Sequence, residues 1–370
     1  MEPSRTQNGY LNEDFLNLIK KDREHFSKLS SDTKIWLYRV HGAIIGGDMR
    51  FSPGSIILSK HIEIGESVFI GNDVVIETDS LCLGTLSYIG HSSTIHARKV
   101  FFHENVFLSK NVEVGGGGFR DPESEIEIHS HCHIGQDVHL NCCRRIEIGE
   151  ESTITIGTMI MTHCFANSVL EGYPVVFSPV KIGRNVQIGL RCTIFPGVTI
   201  EDGAVVGSNS NVMSKVSAET YYCGVPAKAL GPAKKTYSPE RQYKIATDLV
   251  LDFIKQLTLL KYNVEVLRGG YDEINCTVTL DQKKMKLIFR KVIEIDQLHE
   301  VIDQSDETLY ICLSAMPSHL QNVEKIAVIG LLEKKIIGTS GLLTNTLREF
   351  LRKRGIRLIP KTWSYRGGLI

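Results

Sequence analysis

Histidine supplies the side chains of this sequence best suited to chemistry near neutral pH. An imidazole can ligate a metal ion or, when neutral, accept a proton from a substrate. Two groups of histidines are spaced closely enough to share a metal, namely His91 with His96, and the group His129, His131, His133 and His139. By contrast, His163 is the sole histidine between His139 and His299. On this stretch it therefore has no competitor for acid–base chemistry.

A six-residue repeat of apolar side chains indicates the elements that would position these residues. The clearest run is Ile182, Ile188, Ile194, Ile200, Val206 and Val212. Further in-phase residues are Ile64, Ile70, Ile76, Phe102, Leu108, Val114, Ile128, Ile134, Ile148, Ile154 and Ile160. Glycine directly follows several of them, as at Gly65, Gly71, Gly183, Gly189 and Gly207. This period is neither the period of about 3.6 of an amphipathic helix nor the alternation of a strand.

Short straight segments joined by tight turns would produce the repeat, if three segments formed a triangular coil with each aliphatic side chain pointing to the axis. Glycine after the aliphatic residue fits a turn in which a larger side chain would clash or in which φ is positive. Successive coils would stack at the inter-strand spacing of about 4.8 Å and bury a continuous aliphatic ladder. The repeat therefore predicts a parallel β-helix over about residues 42–217.

Two segments interrupt the repeat, and a helical segment precedes it. Gly115–Glu125 is polar and rich in glycine, and Cys164–Pro179 separates two in-phase stretches. We expect both to be loops extruded from the β-helix, where such scaffolds carry function. Tyr10–Val40 has the apolar spacing of one or two helices, which would cap the exposed edge of the first coil. The predicted cap comprises residues 1–41.

Beyond residue 232 the six-residue repeat is absent. A linker that contains Pro and Lys, Gly231–Pro239, comes first. The predicted helices are Gln242–Leu260 and Leu342–Arg354, and the predicted strands are Glu273–Leu280, Lys286–Phe289, Leu309–Leu313 and Lys325–Ile329. This alternation indicates a separate α/β domain of unknown role over residues 238–370. The turn Thr339–Gly341 could bind an anion at a helix N-terminus, although a plain N-cap is the favoured interpretation.

Charge and composition limit the classes of partner. Lys plus Arg and Asp plus Glu number 42 each, so no global field attracts nucleic acid or an anionic membrane. No run of about 18 apolar residues could span a bilayer, and the N-terminal segment lacks the apolar core of a signal peptide. We therefore expect a soluble, cytoplasmic protein. The nine cysteines have no paired zinc spacing and are expected to be reduced, buried thiols.

The segment Lys181–Leu230 resembles the hexapeptide-repeat acyltransferase family, in the branch of galactoside, maltose, xenobiotic and polysaccharide O-acetyltransferases. The matching residues are VKIGRNVQIGLRCTIFPGVTIEDGAVVGSNSNVMSKV, Val180–Val216, followed by CGVPAKAL, Cys223–Leu230. The resemblance covers residues 42–230. It implies a left-handed parallel β-helix, assigned to residues 42–232, and a homotrimer with sites between subunits. It also implies direct acyl transfer from acetyl-CoA as co-substrate, without a covalent enzyme intermediate.

The resemblance assigns roles to individual residues. His163 matches the histidine that takes the proton from the acceptor hydroxyl or amine, a role that suits a neutral imidazole. The positions that match the CoA groove are Ser208, Ser214, Lys215 and Lys228. Asn141 and Phe165 are the candidate acceptor-binding residues, and Phe165 stands where many relatives have a second histidine. Gln187 stands where relatives frequently carry a tryptophan.

Two other functions remain open. The spacing of His91 and His96 resembles the zinc pair of γ-class carbonic anhydrases, but the third histidine expected about two coils upstream is missing, and His61 is out of phase. Polar corner residues are the favoured interpretation there, and a solvated face is favoured for the group between His129 and His139. Alternatively, the β-helix is a non-catalytic scaffold for a C-terminal binding module, which an absence of acyl-CoA binding would favour.

The sequence thus predicts an acyltransferase that moves an acetyl or similar group from acyl-CoA to a hydroxyl or amine. The acceptor would be a sugar or another small polar molecule, and no metal, nucleic acid or membrane span is expected.

Overall fold

The structure is a computed structural model that describes residues 8–116, 118, 120–269, 273–291, 307–313, 326–338, 341–356 and 358. The chain divides into two compact units between Lys235 and Thr236, within the segment that the sequence marks as a linker. The predicted strand start at Lys325 and the turn residues Thr339 and Ser340 lie outside the described residues.

Three helices precede the first coil of the first unit, where the sequence predicted one or two. They are α1 (Glu13–Lys21), α2 (Arg23–Lys28) and α3 (Ser31–Val40). The side chain of Asn12 accepts a hydrogen bond from the Phe15 N–H and caps α1, and Ser30 accepts from the Thr33 N–H and caps α3. Each N-cap satisfies a backbone N–H of the first turn and so fixes where its helix begins.

Helix α3 is anchored to the first coil by polar contacts made inside the core. The buried Tyr38 hydroxyl donates to the Ile57 carbonyl at 2.7 Å. The buried Lys34 ammonium donates to the Ser55 carbonyl at 2.8 Å, and burial lowers the pKa of Lys34 to about 8. Because these donors are satisfied, the helix can cover the open end of the first coil without leaving unpaired polar groups.

The remainder of the first unit consists of short strands separated by turns. They are β1 (Ile44–Ile45), β2 (Arg50–Phe51), β3 (Ile56–Ile64), β4 (Phe69–Ile70), β5 (Val75–Leu83), β6 (Tyr88–Ile89), β7 (Thr94–His96), β8 (Lys99–Phe102), β9 (Phe107–Leu108), β10 (Glu113–Val114), β11 (Glu125–Ile128), β12 (His133–Ile134), β13 (His139–Asn141), β14 (Ile146–Ile148), β15 (Thr153–Ile154), β16 (Met159–Met161), β17 (His163–Cys164), β18 (Val176–Phe177), β19 (Val180–Ile182), β20 (Gln187–Ile188), β21 (Thr193–Ile194), β22 (Thr199–Ile200), β23 (Val205–Val206), β24 (Asn211–Val212), β25 (Thr220–Cys223) and β26 (Lys228–Pro232).

Pairing between successive coils arranges these strands in three faces, which the chain visits in the order A, B, C. Face A contains β8, β11, β14, β19 and β22; face B contains β2, β4, β6, β9, β12, β15, β20, β23 and β25; face C contains β7, β10, β13, β16, β21 and β24. Strand β5 turns a corner, since Val75–Glu77 pairs with β7 of face C and Ser80–Leu83 pairs with β8 of face A. We call such a turn the C/A corner, and the turn from face B to face C the B/C corner.

The parallel register places the in-phase apolar residues directly above one another. Ile182 pairs with Ile200 on face A, and the equivalent pairs on faces B and C are Ile188 with Val206 and Ile194 with Val212. All six side chains are at most 1% exposed, so they form the predicted aliphatic ladder. The predicted fold class, a left-handed parallel β-helix with N-terminal helices and a C-terminal α/β unit, is confirmed.

Glycine follows the buried residue because the next coil leaves no room for a side chain. A Cβ atom at Gly189 would lie 2.5 Å from the Ser208 backbone nitrogen, and one at Gly183 would lie 2.7 Å from the Asp202 nitrogen. Positive φ occurs two residues further on, at Asn185 (54°) and Arg191 (52°). Glycine is therefore required at these two positions because a side chain would clash with the next coil, and not because φ is positive.

The two interruptions of the repeat differ in structure. The described residues between β10 and β11 (115, 116, 118 and 120–124) form a loop, as predicted, except that Glu125 already belongs to β11; we call it the 115–124 loop. The second interruption is instead a hairpin, because β17 pairs antiparallel with β18. It begins at His163, one residue before the predicted loop, and a short 3₁₀ helix (Val169–Glu171) lies between its strands. We call residues 163–177 the hairpin.

The second unit is an α/β domain with one mixed sheet among its described residues. Its elements are α4 (Pro239–Leu259), β27 (Asn263–Gly269), β28 (Glu273–Leu280), β29 (Lys283–Arg290), β30 (Glu307–Cys312), β31 (Ile326–Gly330), β32 (Lys335–Gly338) and α5 (Leu342–Arg352). The strands lie in chain order, with parallel pairing from β29 to β31 and antiparallel pairing elsewhere. The sequence missed β27 and β32, which are the two edge strands; at such edges a buried apolar run is not required.

The close approach of successive coils at Gly189 can be tested by adding a side chain there. We expect Gly189→Val to lower the free energy of unfolding of the first unit by about 1–3 kcal/mol or more, because the added side chain meets backbone atoms that cannot move aside. The measurement is urea denaturation followed by circular dichroism. Gly47→Val is the matched control, since a Cβ at Gly47 meets no atom within 4 Å. Equal losses in both variants would contradict the steric explanation.

Candidate active site

His163 lies where face C gives way to the hairpin. Strand β16 ends at Met161, Thr162 follows, and His163 then opens β17 opposite Phe177. Ile160, the middle residue of β16, is fully buried in the aliphatic ladder. The imidazole is therefore held at the base of the hairpin, at the C/A corner, by a strand that the core fixes on one side and an antiparallel pair on the other.

Aromatic side chains of the hairpin surround the imidazole. The rings of His163 and Phe177 stack with centroids 5.6 Å apart and an interplanar angle of 14°. Phe165 lies 5.4 Å from His163 and 5.7 Å from Phe177, and it is 58% exposed. Because the three rings form one cluster, they restrict the orientation of the imidazole and present an apolar surface to solvent beside it.

Arg144 connects the hairpin with the 115–124 loop. Its guanidinium carbon lies 4.9 Å from the centroid of the Phe177 ring, a cation–π arrangement. The same group contacts Asp121 at 2.7 Å and Glu123 at 3.3 Å. The hydrogen bond from Arg144 lowers the pKa of the Asp121 carboxyl below its usual value. The two excursions of the β-helix are therefore joined through one side chain next to the imidazole.

A buried threonine fixes the corner that carries His163. The Thr162 hydroxyl donates to the Asn141 carbonyl at 2.7 Å and accepts from the Arg144 N–H at 3.0 Å. Thr162 is fully buried, so both hydrogen bonds are shielded from water. They connect the end of β16 to the corresponding corner of the preceding coil, where Asn141 pairs with Met161.

Two buried polar atoms of this corner have no hydrogen-bond partner among the described residues. They are Nδ1 of His163 and Oδ1 of Asn141. The amide nitrogen of Asn141 is 3.4 Å from the Gly116 carbonyl, at the start of the 115–124 loop. Buried polar groups nearly always have a partner, so these two atoms mark this corner as an exception to the rule. The structure thus brings Asn141, predicted to contact the acceptor, to the same corner as His163.

Of the residues predicted for CoA, Ser214 and Lys215 lie at the C/A corner and Ser208 does not. Ser214 and Lys215 follow β24, which is two coils beyond β16 on face C. Ser208 follows β23 at the B/C corner, where its hydroxyl accepts from the Leu190 N–H at 3.1 Å. Face C therefore separates Ser208 from the other two.

The predicted lysines differ in their surroundings. The Lys215 ammonium lies 2.6 Å from a carboxylate oxygen of Glu201, which offsets much of its charge. Lys228 is exposed and opens β26, which returns antiparallel beside β25 after the turn formed by Gly224–Ala227. Both ammonium groups are accessible to solvent, as a contact to a phosphate requires.

The two histidine groups that the sequence marked as possible metal sites do not assemble. His129 follows β11 of face A, whereas His133 lies on face B and His139 on face C. His139 contacts Glu113 at 3.1 Å, and Nδ1 of His91 accepts from the Asn72 N–H at 2.8 Å. Among the described residues, His91 and His96 belong to no cluster of three potential metal ligands. His91 and His139 are therefore engaged by different neighbours, the first by a backbone N–H and the second by a carboxylate.

Sequence reasoning missed Arg144, Phe177 and Thr162. Each of them contacts a residue that is distant in the sequence, so no local sequence pattern predicts its role. Phe177 falls inside the segment predicted as a plain loop. The one available signal was the run of apolar residues in that segment, CFANSVLEGYPVVFSP, which a solvated loop does not need.

A family model, described as the hexapeptide repeat of succinyl-transferase, matches residues 179–213. These residues run from the end of the hairpin through β19–β24, which include the clearest run of the six-residue repeat. The match therefore falls on the coils that follow His163.

Relatives named as acetyltransferases match a longer part of the chain. The galactoside O-acetyltransferase of Escherichia coli is 29% identical over 157 residues, which are 40% of this chain and 75% of that protein. A putative lipopolysaccharide biosynthesis O-acetyl transferase of the same organism is 32% identical over 25% of this chain and 53% of its own length. Residues 179–213 thus carry a hexapeptide repeat, and over the aligned residues the β-helix is similar to proteins named as acetyltransferases. The second match spans only about half of that relative.

A solved structure of an N-acyltransferase from Bacillus cereus, in complex with dTDP and coenzyme A, is also similar to this hexapeptide-repeat protein. It is 20% identical, and the superposition covers 47% of this chain and 93% of that one with a TM-score of 0.32. Within the described residues, no helix has the length and apolar character needed to cross a membrane.

Thr162 provides a test of how the corner is held. We expect Thr162→Val to lower the free energy of unfolding by about 1–3 kcal/mol, because the Arg144 N–H and the Asn141 carbonyl then lose a buried partner. The measurement is again urea denaturation. Thr193→Val is the matched control, because Thr193 lies on the outer side of face C one coil later and is only half-buried. A loss no larger than that of the control would show that the hydroxyl does not fix this corner.

Proposed function

We propose that the protein transfers an acyl group, in the first instance acetyl, from acyl-CoA to a hydroxyl or amine of a sugar or similar polar acceptor. The observation that carries the proposal is the position of His163 at the base of the hairpin. It lies on the same corner of the hexapeptide-repeat β-helix as Ser214 and Lys215, beside an unpartnered buried amide oxygen. The relatives named for galactosides and lipopolysaccharide support a sugar as the acceptor.

His163 is the general base of the proposed reaction. Its buried Nδ1 faces the protein, which leaves Nε2 to take the proton from the acceptor O–H or N–H. The acceptor atom then bonds to the thioester carbonyl carbon, and backbone N–H groups at the corner stabilise the oxyanion. When the carbon–sulfur bond breaks, the imidazolium returns its proton to the CoA thiolate. The acyl group passes directly, and the enzyme finishes in its starting protonation state.

The acyl-CoA donor is assigned to the last coils. Ser214 lies at the C/A corner that leads back to His163, and Lys215 and Lys228 offer ammonium groups for the phosphates of the nucleotide. Lys215 would exchange its contact with Glu201 for a phosphate. Ser208 lies across face C and would contact a different part of the same elongated molecule.

The acceptor is assigned to the exposed rings of Phe165 and Phe177 and to Asn141, which is buried at the same corner. Oδ1 of Asn141 would accept a hydrogen bond from a sugar hydroxyl. The exposed ring of Phe165 would pack against the apolar C–H face of a pyranose, which gives contact area without the polar specificity of a charged group. The cation–π contact with the Arg144 guanidinium would hold Phe177 in this arrangement.

We propose a trimer because the hairpin exposes more apolar surface than an isolated chain would be expected to leave uncovered. Exposed side chains of the hairpin are Phe165, Val169, Leu170, Tyr173, Val175, Val176 and Phe177, with Leu170 94% exposed. A contiguous patch of this kind usually marks an interface. In the proposed trimer, the hairpin of one subunit covers the donor groove of the next.

The proposed location is the cytoplasm, where acyl-CoA is available. All nine cysteines are free, as expected in a reducing compartment. The expectation that all thiols are buried is wrong for three of them, since Cys82 and Cys223 are half-buried and Cys164, on the hairpin, is exposed.

The role of His163 is tested by His163→Ala. We expect turnover of acetyl-CoA with a panel of sugar acceptors to fall about 10²–10⁴-fold, because the base is lost, while the affinity for acetyl-CoA is unchanged. Thiol release measures turnover, and calorimetry measures affinity. His133→Ala is the matched control, since His133 lies on face B with its ring 5.0 Å from that of Phe107.

Full turnover by His163→Ala would reject the base but leave the acyltransferase intact. Absence of acetyl-CoA binding by the wild-type protein would reject the whole proposal and favour the non-catalytic scaffold with a C-terminal binding module.

The trimer is tested by Leu170→Asp. We expect the wild-type protein to have three times the mass of one chain in light scattering, and the variant to dissociate, because the interface would bury an unpaired carboxylate. Leu259→Asp is the matched control, since Leu259 is 84% exposed at the end of α4 in the second unit. A wild-type protein of monomeric mass would reject the assembly.

A further inference from the structure

Three potential metal ligands converge on the outer side of face A. His103 comes directly after β8, and Glu127 and His129 belong to the next coil, at and just beyond the end of β11. Alternate residues of an extended segment share one side, so Glu127 and His129 both point outward. The backbone is fixed by the ladder, since the His103 N–H donates to the Ile128 carbonyl at 2.9 Å.

The donor atoms have the spacing of a coordination sphere. Nε2 of His103 lies 3.0 Å from Oε1 of Glu127, and Nε2 of His129 lies 3.7 Å from the same oxygen. All three ligand atoms lie within 4.8 Å of one another. Zinc bonds of about 2.0–2.2 Å in a tetrahedral arrangement separate neighbouring ligand atoms by about 3.3 Å. The observed separations bracket that value, so small side-chain rotations would suffice.

Neighbouring groups hold the ligands in place. The two imidazole rings are stacked, with centroids 4.5 Å apart and an interplanar angle of 13°. The guanidinium of Arg145 contacts the other carboxylate oxygen of Glu127 at 2.5 Å, which leaves Oε1 directed at the imidazoles. Such contacts to the non-ligating atom are typical of metal sites because they fix the orientation of the ligand. Glu147, 3.8 Å from Nε2 of His129, is instead shared with the side chains of Arg145 and Lys181, so a water molecule would complete the coordination.

We propose that His103, Glu127 and His129 form a binding site for a divalent transition metal, with zinc as the best match to two imidazoles and a carboxylate. In the sequence, His103 precedes the 115–124 loop and the other two ligands follow it. The metal would therefore link the two coils between which this loop interrupts the repeat. Face A carries the site, whereas His163 follows face C. None of the three ligands is among the residues assigned to acyl transfer, so the proposal is independent of the proposed function.

The test is titration of chelator-treated protein with Co²⁺ and with Zn²⁺. We expect one metal per chain, a visible Co²⁺ spectrum typical of nitrogen and oxygen ligands, and a higher midpoint of thermal unfolding with metal. His103→Ala and Glu127→Gln should each weaken binding about tenfold or more. His133→Ala is the matched control and should bind like the wild type. Circular dichroism verifies that each variant is folded.

Several outcomes would overturn the site. They are no binding by the wild-type protein, equal binding by His103→Ala, or a thiolate charge-transfer band in the Co²⁺ spectrum. The last would assign the metal to cysteine, of which Cys164 is the exposed example. Absence of metal binding together with acetyl-CoA turnover would reject this site and leave the acyltransferase untouched.

Discussion

The close stacking of coils is the constraint on which the rest of the molecule depends. Each coil lies so near the next that a Cβ atom at Gly189 would fall 2.5 Å from a backbone nitrogen. The same distance lets Ile188 pack directly on Val206 with almost no exposure. A close-packed interior has no space for a ligand, so any chemistry must take place on the outer faces, at the corners, or in segments that leave the coil.

The segments that leave the coil lack the packing that fixes the coils themselves, so other contacts must stabilise their position. The hairpin exposes most of its own side chains, so the core contributes little to its position. Thr162 and Arg144 supply what the core does not: the first ties the corner to the preceding coil, and the second binds the ring of Phe177 and the carboxylate of Asp121. His163 is therefore positioned by these polar contacts together with the rings of Phe165 and Phe177.

The sequence predicted what depends on the repeat and missed what depends on the interruptions. The period identified the ladder, the coils and the two places where they break, because each follows from residues six positions apart. It could not predict Arg144 beside Phe177, since the number of residues between them is set by the hairpin and not by the coil. The grouping of His129 with His133 likewise rests on sequence distance, whereas His129 follows a strand of face A and His133 lies on face B.

Stacking also determines which residues become neighbours on the outside. Residues at equivalent positions of successive coils lie one strand spacing apart, about 4.8 Å. Phe69, Tyr88, Phe107 and His133 follow this rule on face B, with ring centroids 4.9, 4.7 and 5.0 Å apart. His103 and His129 follow it on face A at 4.5 Å, although the 115–124 loop increases their separation in the sequence. An outer site of a β-helix is therefore recognised only after the residues are assigned to coils, because the coil and not the sequence interval defines the neighbour.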